Sequence, residues 1–398
     1  MAASARASIT SPAREHQMTL FERLEGIARR AGQPDPLRPA LGLFFVVLSL
    51  LALGFLMQAS HASTTVRPED FRGELVSLGA YRVLALAFLV LGFRLGPLGV
   101  RRFVPFLSVV AVLLLASVYV PFIGAATNGS RRWIHLGVGG LTLQPSEVAR
   151  VVMVLWVARR CVQLGPRVTD MARGYLPMVV FGLVLFASIL GQPDLGGALL
   201  FLVCFVCTMW VGGARPAHVA GSLGMVGGGA LFLGVTYYAY IRERLAMWLG
   251  ETTNEQLVRS AQAMSSGDLF GVGLTHGGWR NSGLQYMQND FAFALVGEEL
   301  GLVGSLVVIG LWGAFAWFAL QLVLSVRDRF SALVAFGLLA SVAFQAMLHL
   351  QVVTGLAPPK GMNLPFLSDG GTSLVASSFA VGLALGSVRR LPRDVQGL

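Results

Sequence analysis

The sequence predicts an all-α, polytopic membrane protein with about ten transmembrane helices. Of its 398 residues, 55% are hydrophobic and only 13% are charged, whereas a soluble domain carries about 25% charged residues. Apolar runs long enough to cross a bilayer, which takes about 20 residues, recur along the chain. The basic residues lie mostly in the short segments between these runs. Together these three features indicate a bundle of membrane-spanning helices.

The apolar runs give the expected helices in chain order. They lie near 41–59, 76–93, 103–124, 145–163, 174–191, 195–213, 218–240, 300–324, 331–356 and 371–388. The fifth and sixth are separated only by Gln192, Pro193 and Asp194. The stretch 241–290 interrupts the pattern, and it is expected to form one long extracytoplasmic loop between helices 7 and 8.

The positions of the basic residues predict the orientation. With the N-terminus inside, most Arg residues fall on the cytoplasmic side, as positively charged loops usually do. Both termini are therefore expected in the cytoplasm. The net charge of +10 would favour a nucleic-acid partner in a soluble protein, but here topology explains the charge and no nucleic acid is expected.

Three regions follow from this pattern. Residues 1–40 are expected to form a cytoplasmic segment with a short amphipathic helix, because Thr19 and Glu22 have capping-box spacing and apolar residues then recur on one face. A partner-binding helix is the alternative for this segment. Residues 41–390 form the transmembrane domain, and residues 391–398 form a cytoplasmic tail.

The outer loop between the third and fourth predicted spans contains two adjacent arginines, in Asn128-Gly-Ser-Arg-Arg-Trp133. Arg131 and Arg132 could hold an anionic headgroup through guanidinium–phosphate hydrogen bonds. Interfacial anchoring by Trp and Arg is the alternative. Glu147 and Arg150 follow at i,i+3 spacing just inside the next helix, where ionisable residues tend to pair or face a cavity. They are candidate substrate-binding residues or a purely structural ion pair.

Two further outer segments contain polar residues of interest. The long loop is rich in glycine near Arg280 and ends at Asp290, where an apolar run begins. Asp290 is either a catalytic carboxylate or an N-cap of the following helix. Residues 358–372 contain three prolines and three glycines, which predicts a rigid non-helical segment with Lys360 and Asp369 as its charges.

No metal or cofactor site is evident in the sequence. There is no Asp-x-Asp pair and no His cluster, although a divalent cation bridging a pyrophosphate would need few protein ligands. Cys204 and Cys207 form a C-x-x-C inside an apolar helix, where burial opposes the exposed thiolate that redox chemistry needs. They are expected to be packing residues.

Four blocks of the sequence, in this order, resemble the SEDS family (shape, elongation, division and sporulation), which includes FtsW, RodA and SpoVE. The resemblance spans roughly residues 40–390 and is more FtsW-like than RodA-like. The blocks are Asn128-Gly-Ser-Arg-Arg-Trp133 with Gln144-Pro-Ser-Glu147, Gly191-Gln-Pro-Asp-Leu-Gly196, Asp290-Phe-Ala-Phe-Ala-Leu-Val-Gly-Glu-Glu-Leu-Gly301 and Lys360-Gly-Met-Asn-Leu-Pro-Phe-Leu-Ser-Asp-Gly-Gly371.

This resemblance implies ten transmembrane helices and a peptidoglycan glycosyltransferase of the bacterial inner membrane. Such an enzyme polymerises lipid II in cell division or cell-shape maintenance, beside a class B penicillin-binding protein and other divisome or elongasome proteins. Asp290 matches the family's catalytic aspartate, and Glu147 matches the acidic residue of its fourth helix. Arg150 stands where the family usually has lysine.

The chain also departs from the family pattern. Gln288-Asn289 replaces His-Thr, Asp369 replaces Tyr, and His349 stands where the ninth helix often carries Asn. These changes affect the neighbours of Asp290 and leave open a diverged paralogue with altered activity.

The family chemistry predicts roles for the charged residues. Inverting transfer from a polyprenyl-pyrophosphate donor needs one base, for which Asp290 is the candidate. It also needs positive charge at the leaving group, which Arg131, Arg132, Arg280 or Lys360 would supply. Two other classes of function remain: a flippase for lipid-linked precursors, and a non-catalytic scaffold for a penicillin-binding protein.

Overall fold

The computed structural model describes residues 35–120, 124–127, 130–135, 142–192, 194–237, 239–251, 254–279 and 287–389. The predicted amphipathic helix before residue 35, Arg280, and the tail 391–398 lie outside these residues. The side chain of Arg131 is also outside them, although its backbone is described.

Helices form most of the described chain, and each predicted span overlaps at least one of them. They are Leu37–Thr65 (α1), Phe71–Val100 (α2), Val104–Ser117 (α3), Pro145–Leu164 (α4), Leu176–Leu190 (α5), Leu195–Val211 (α6), Pro216–Ser222 (α7), Gly228–Tyr237 (α8), Ala239–Trp248 (α9), Glu255–Ser266 (α10), Ala292–Ser325 (α11), Arg329–Val353 (α12) and Gly371–Leu385 (α13).

Six helical stretches in the described part of the chain are long and apolar enough to span a membrane, which confirms the polytopic all-α class. One of them, Phe71–Ser117, has 47 residues. At about 1.5 Å per residue it greatly exceeds a hydrocarbon core of about 30 Å. Gly96 is non-helical there, with φ 60°, so this stretch corresponds to two predicted spans. The cytoplasmic placement of both termini stays a prediction.

Helices α2 and α13 pack very closely through glycine. A Cβ atom on Gly382 would lie 2.1 Å from the carbonyl oxygen of Leu89, and one on Gly92 would lie 2.6 Å from that of Phe379. Small residues allow such backbone approach between membrane helices. Helix α13 begins at Gly371, directly after the non-helical segment between α12 and α13. The contact with α2 therefore fixes the C-terminal end of that segment.

One prediction about the outer segments was wrong in detail. The third span was expected to reach residue 124, but α3 ends at Ser117 and a three-stranded antiparallel sheet follows, with strands Gly124–Thr127 (β1), Ser130–His135 (β2) and Thr142–Leu143 (β3). The long loop 241–290 contains α10 and most of α9. Helix α10 is stabilised at its start by Asn254, whose side chain accepts a hydrogen bond from the Leu257 amide.

The rest of this outer segment is attached to α11 where that helix breaks. Gly301 has φ 65°, a left-handed conformation that favours glycine. On either side of the break, the Val272 amide donates to the Glu298 carbonyl (3.0 Å) and the Leu302 amide donates to the Asp268 carbonyl (2.9 Å). The outer segment is thereby held against the helix that follows Asp290.

Candidate functional site

A cavity of about 770 Å³ lies where the outer ends of several helices meet. Its walls come from β2, the N-terminal ends of α4, α6 and α10, helix α9, helix α12 and the non-helical segment between α12 and α13. Five of the predicted site residues line it, namely Arg132, Glu147, Arg150, Asp290 and Lys360. The described structure therefore brings together residues that lie up to 228 positions apart in sequence.

Asp290 lies just before α11 and does not cap it. The N-cap position is occupied by Phe291, without any side-chain capping bond. Among the described residues, no backbone amide or side chain donates a hydrogen bond to the Asp290 carboxylate. Its Oδ2 faces Gly361, where an added Cβ would lie only 2.7 Å away. The capping interpretation is therefore wrong, and the carboxylate is open to a ligand in the cavity.

The environment of Asp290 suits a base. Burial raises the pKa of its carboxyl to about 6, and the charges of Arg132 and Arg244 oppose this rise. A carboxylate with this pKa is ionised at neutral pH and is more basic than an ordinary aspartate. General bases work best when their pKa lies near the operating pH.

Three cationic side chains surround the same space. Lys360 is held in a partly buried position, and burial, with the nearby Arg244 charge, lowers its pKa to about 8, against the opposing effect of Asp194. Arg244 donates to the Pro359 carbonyl at 3.1 Å. Arg132 lies 3.6 Å from the carboxylate of Asp194. The cavity thus combines the Asp290 carboxylate, which accepts no hydrogen bond from a described residue, with a group of positive charges.

Polar side chains from three helices form the floor of the cavity. Arg150 donates to Glu147 at 2.5 Å, and both are buried. Ser373 of α13 lies 3.4 Å from the other Glu147 oxygen. Gln345 of α12 donates to Ser373 (3.2 Å) and to the Asn363 carbonyl (3.1 Å). The Glu147–Arg150 pair is therefore a structural ion pair that also lines the cavity.

Comparison with known proteins assigns the chain to a family. Residues 41–390 match the family model FTSW_RODA_SPOVE, described as a cell cycle protein. The chain belongs to the FtsW/RodA/SpoVE family.

The chain is similar to named relatives and to a solved structure over most of its length. The chain is 32% identical to a probable peptidoglycan glycosyltransferase FtsW of Trichlorobacter lovleyi, covering 87% of this chain and 92% of the relative. It is also 32% identical to the stage V sporulation protein E of Bacillus subtilis, covering 87% and 96%. A solved chain of a peptidoglycan synthase complex that coordinates polymerization and crosslinking superimposes with a TM-score of 0.70 at 28% identity, covering 87% of this chain and 96% of that one.

The two residues before Asp290, which depart from the FtsW/RodA/SpoVE pattern, are held through their backbone carbonyls. The Asp369 amide donates to the Gln288 carbonyl at 3.0 Å, and Ser368 donates its hydroxyl to the Asn289 carbonyl at 2.7 Å. Because these two bonds use main-chain carbonyls, they hold the chain before Asp290 whatever side chains stand at positions 288 and 289. His349, the departure on α12, contacts the Met362 carbonyl through Nδ1 at 2.6 Å.

Sequence reasoning missed three residues that line the cavity of this family member. Asp194 carried a signal, because it lies in the Gly191–Gly196 block. Gln345 also carried one, because an amide inside an apolar span is costly unless it faces a polar space. Arg244 gave no local signal, since α9 is a short helix inside a segment that was interpreted as loop.

Proposed function

We propose that the protein polymerises lipid II into glycan strands at this cavity, by inverting glycosyl transfer with Asp290 as the base. The activity class, peptidoglycan glycosyltransferase, is that in the name of the relative from Trichlorobacter lovleyi, and the matching family model is described as a cell cycle protein. One observation carries the mechanism: the Asp290 carboxylate, with its raised pKa, faces a cavity that is also lined by Arg132, Arg244 and Lys360.

The proposed reaction is a single displacement. The acceptor 4-hydroxyl attacks the anomeric carbon of the donor, the bond to the pyrophosphate oxygen breaks, and Asp290 takes the hydroxyl proton. A positioned base contributes typically 10²–10⁴-fold to such a step. The burial that raises the pKa of Asp290 also removes competing water from its surroundings, which strengthens its interaction with the hydroxyl.

Arg132, Arg244 and Lys360 are proposed to stabilise the leaving pyrophosphate. Charge develops on the pyrophosphate as the glycosidic bond breaks, and preorganised cations act most strongly on charge that appears in the transition state. Of these three, Lys360 loses its proton above about pH 8. Arg131 and Arg280 remain candidates for the same role.

Glu147 and Arg150 are proposed to bind substrate at the floor of the cavity. Glu147 accepts from Arg150 and lies near Ser373, so the floor presents hydroxyl and carboxylate groups in fixed positions. Such groups match the hydroxyls and amides of a sugar–peptide substrate. The ion pair also stabilises the local fold. Variants that change substrate binding and stability differently are therefore needed to tell these two roles apart.

The partner and location are proposed from the family. A class B penicillin-binding protein would crosslink the strands made here, consistent with the synthase complex whose chain has the same fold. The protein is a multi-pass membrane protein, and we place it in the bacterial inner membrane with the cavity on the outer side. Residues 1–40 and 391–398 would then be cytoplasmic flanks of the transmembrane domain.

Two alternatives fit the structure less well. A flippase needs a polar path between the two faces of the membrane. The residues of α4 that line the cavity all lie in its first two turns, and the next residues, Val151, Val152 and Met153, are apolar and buried. A scaffold would not need an unpaired carboxylate of raised pKa. Glycan-strand formation from purified lipid II, by the protein with its penicillin-binding partner, distinguishes the three functions. Translocation without polymerisation would support the flippase, and neither activity would support the scaffold.

A further inference from the structure

Asp194, Asp290 and Asp369 line the cavity, and the surroundings of the first two differ sharply. The Asp290 carboxylate accepts no hydrogen bond from a described residue. Asp194 is 5% exposed and accepts from the Gly197 amide at 2.9 Å and from Gln144 at 3.4 Å, while Arg132 lies 3.6 Å away. A carboxylate engaged with three donors is poorly placed to take a substrate proton. It is well placed to hold another group.

We propose that Asp194 is a positioning residue that fixes Arg132 on the cavity wall and balances the positive charge around Asp290 and Lys360. This inference rests on the proposed function. Arg132 is on β2 and Asp194 precedes α6, so their contact joins the outer sheet to the helix bundle. Without it, Arg132 would keep only its other contacts, among them the ring of Trp133, whose centroid lies 5.9 Å from the guanidinium carbon.

The charges around Asp194 come from every side of the cavity. Arg132 faces it from β2, and Lys360 is close enough for the Asp194 charge to raise its pKa. Arg244 and Glu243 line the cavity from α9. Glu147 and Arg150, on α4, pair with each other. Asp194 therefore pairs with Arg132 and, without direct contact, acts on Lys360 through its charge.

Neutralising Asp194 should lower two pKa values together. Loss of its negative charge leaves Lys360 with only burial and the Arg244 charge, both of which lower the pKa of its ammonium. Loss of the Asp194 charge also removes a negative charge that offsets Arg132, whose positive charge already lowers the pKa of Asp290. Both effects have the same sign, so the acidic and alkaline limbs of the rate profile should move to lower pH.

The test is the pH profile of lipid II polymerisation by the Asp194→Asn variant in complex with the penicillin-binding partner. Asn can still accept from the Gly197 amide, so the start of α6 is preserved. We expect both limbs to move down by about one pH unit, the lower end of the shift that a neighbouring charge causes. A purely structural role would reduce the rate equally at every pH and leave the limbs in place.

Three further variants complete the test. Asp194→Glu keeps the charge and should restore the wild-type limbs. Asp170→Asn is the matched control, because Asp170 also accepts from the amides at the start of a helical turn but lies outside the cavity; its profile should not move. Arg132→Gln removes the other half of the pair and should move the acidic limb to higher pH, opposite to Asp194→Asn.

The outcomes separate this inference from the proposed function. Unmoved limbs in a folded Asp194→Asn protein would overturn the role of Asp194 and leave Asp290 as the base. If thermal unfolding shows that Asp194→Asn does not fold, Asp194→Ser takes its place, because the Ser hydroxyl can also accept from the Gly197 amide and the variant carries the same expected shift. Full activity of a protein without the Asp290 carboxylate would instead remove the proposed function itself.

Discussion

The ionisation of Lys360 should limit activity above pH 8. This residue is the only lysine in the chain, and burial lowers its pKa to about 8. Its charge is present below that pH and is lost as the pH rises through it. One unit above, at pH 9, about a tenth of the side chains remain charged, so the leaving-group contribution should fall about tenfold. Asp290 works in the opposite sense: its carboxylate forms as the pH rises through about 6.

The wild-type rate should therefore be bell-shaped, with limbs near pH 6 and pH 8. Lys360→Arg places a guanidinium that stays charged throughout this range, so the alkaline limb should disappear even if the different shape lowers the rate at all pH values. The assay is the initial rate of glycan-strand formation from lipid II between pH 5 and 10 at constant ionic strength.

A matched control distinguishes the position of the lysine from its mere presence. Arg259→Lys adds a lysine on α10, where Arg259 pairs with Glu255 outside the cavity, and it should leave both limbs unchanged. An alkaline limb near pH 8 that persists in Lys360→Arg would refute the assignment of Lys360. A rate that stays flat down to pH 4 would refute the raised pKa of Asp290.

Three other expectations follow from the geometry. In Gly361→Ala, the new methyl group would meet the tip of the Asp290 side chain at 2.7 Å; the carboxylate should turn away, so kcat should fall by about tenfold or more while the melting temperature changes little. Glu147→Gln leaves the buried charge of Arg150 without its ionic partner and should destabilise the protein by roughly 3 kcal/mol, whereas Glu147→Gln with Arg150→Gln should recover part of that loss in thermal unfolding. A topology reporter fused after Arg390 should report the cytoplasm, and one inserted near Glu255 should report the outer side; an external C-terminus would contradict the predicted orientation.

Much of the fold could be predicted from hydrophobicity, because a membrane span is a local property of the sequence. The short sheet could not, since β1–β3 are strands of six residues or fewer whose pairing depends on partners elsewhere in the loop. The same holds for α10, whose Asn254 cap and buried Ser260 and Ala263 stabilise a helix that is weakly apolar as a whole. Local patterns indicate spans well and indicate small elements at the membrane surface poorly.

The candidate site divides in the same way. Asp290, Glu147 and Lys360 could be selected because charged residues near a span are costly and family motifs contain them. The choice between cap and base for Asp290 needed coordinates, because it depends on whether an amide donates to the carboxylate. The places of Asp194 and Arg244 in the site could be found only from the three-dimensional structure, because their neighbours there are more than 100 positions away in the sequence. Arg244 donates to the Pro359 carbonyl, and the charge of Asp194 raises the pKa of Lys360.

The most direct test of the account is polymerisation of lipid II by Asp290→Asn in complex with the penicillin-binding partner. Asn is nearly the same size and the position makes no capping bond, so the melting temperature should stay near that of the wild type. An amide cannot take up the hydroxyl proton, so we expect strand formation to fall at least ~10²-fold, the low end for a positioned base. Asp369→Asn, which changes another carboxylate on the cavity wall, is the comparison and should retain far more activity. Strand formation by folded Asp290→Asn at near the wild-type rate would contradict the assignment of Asp290 as the base and the mechanism built on it.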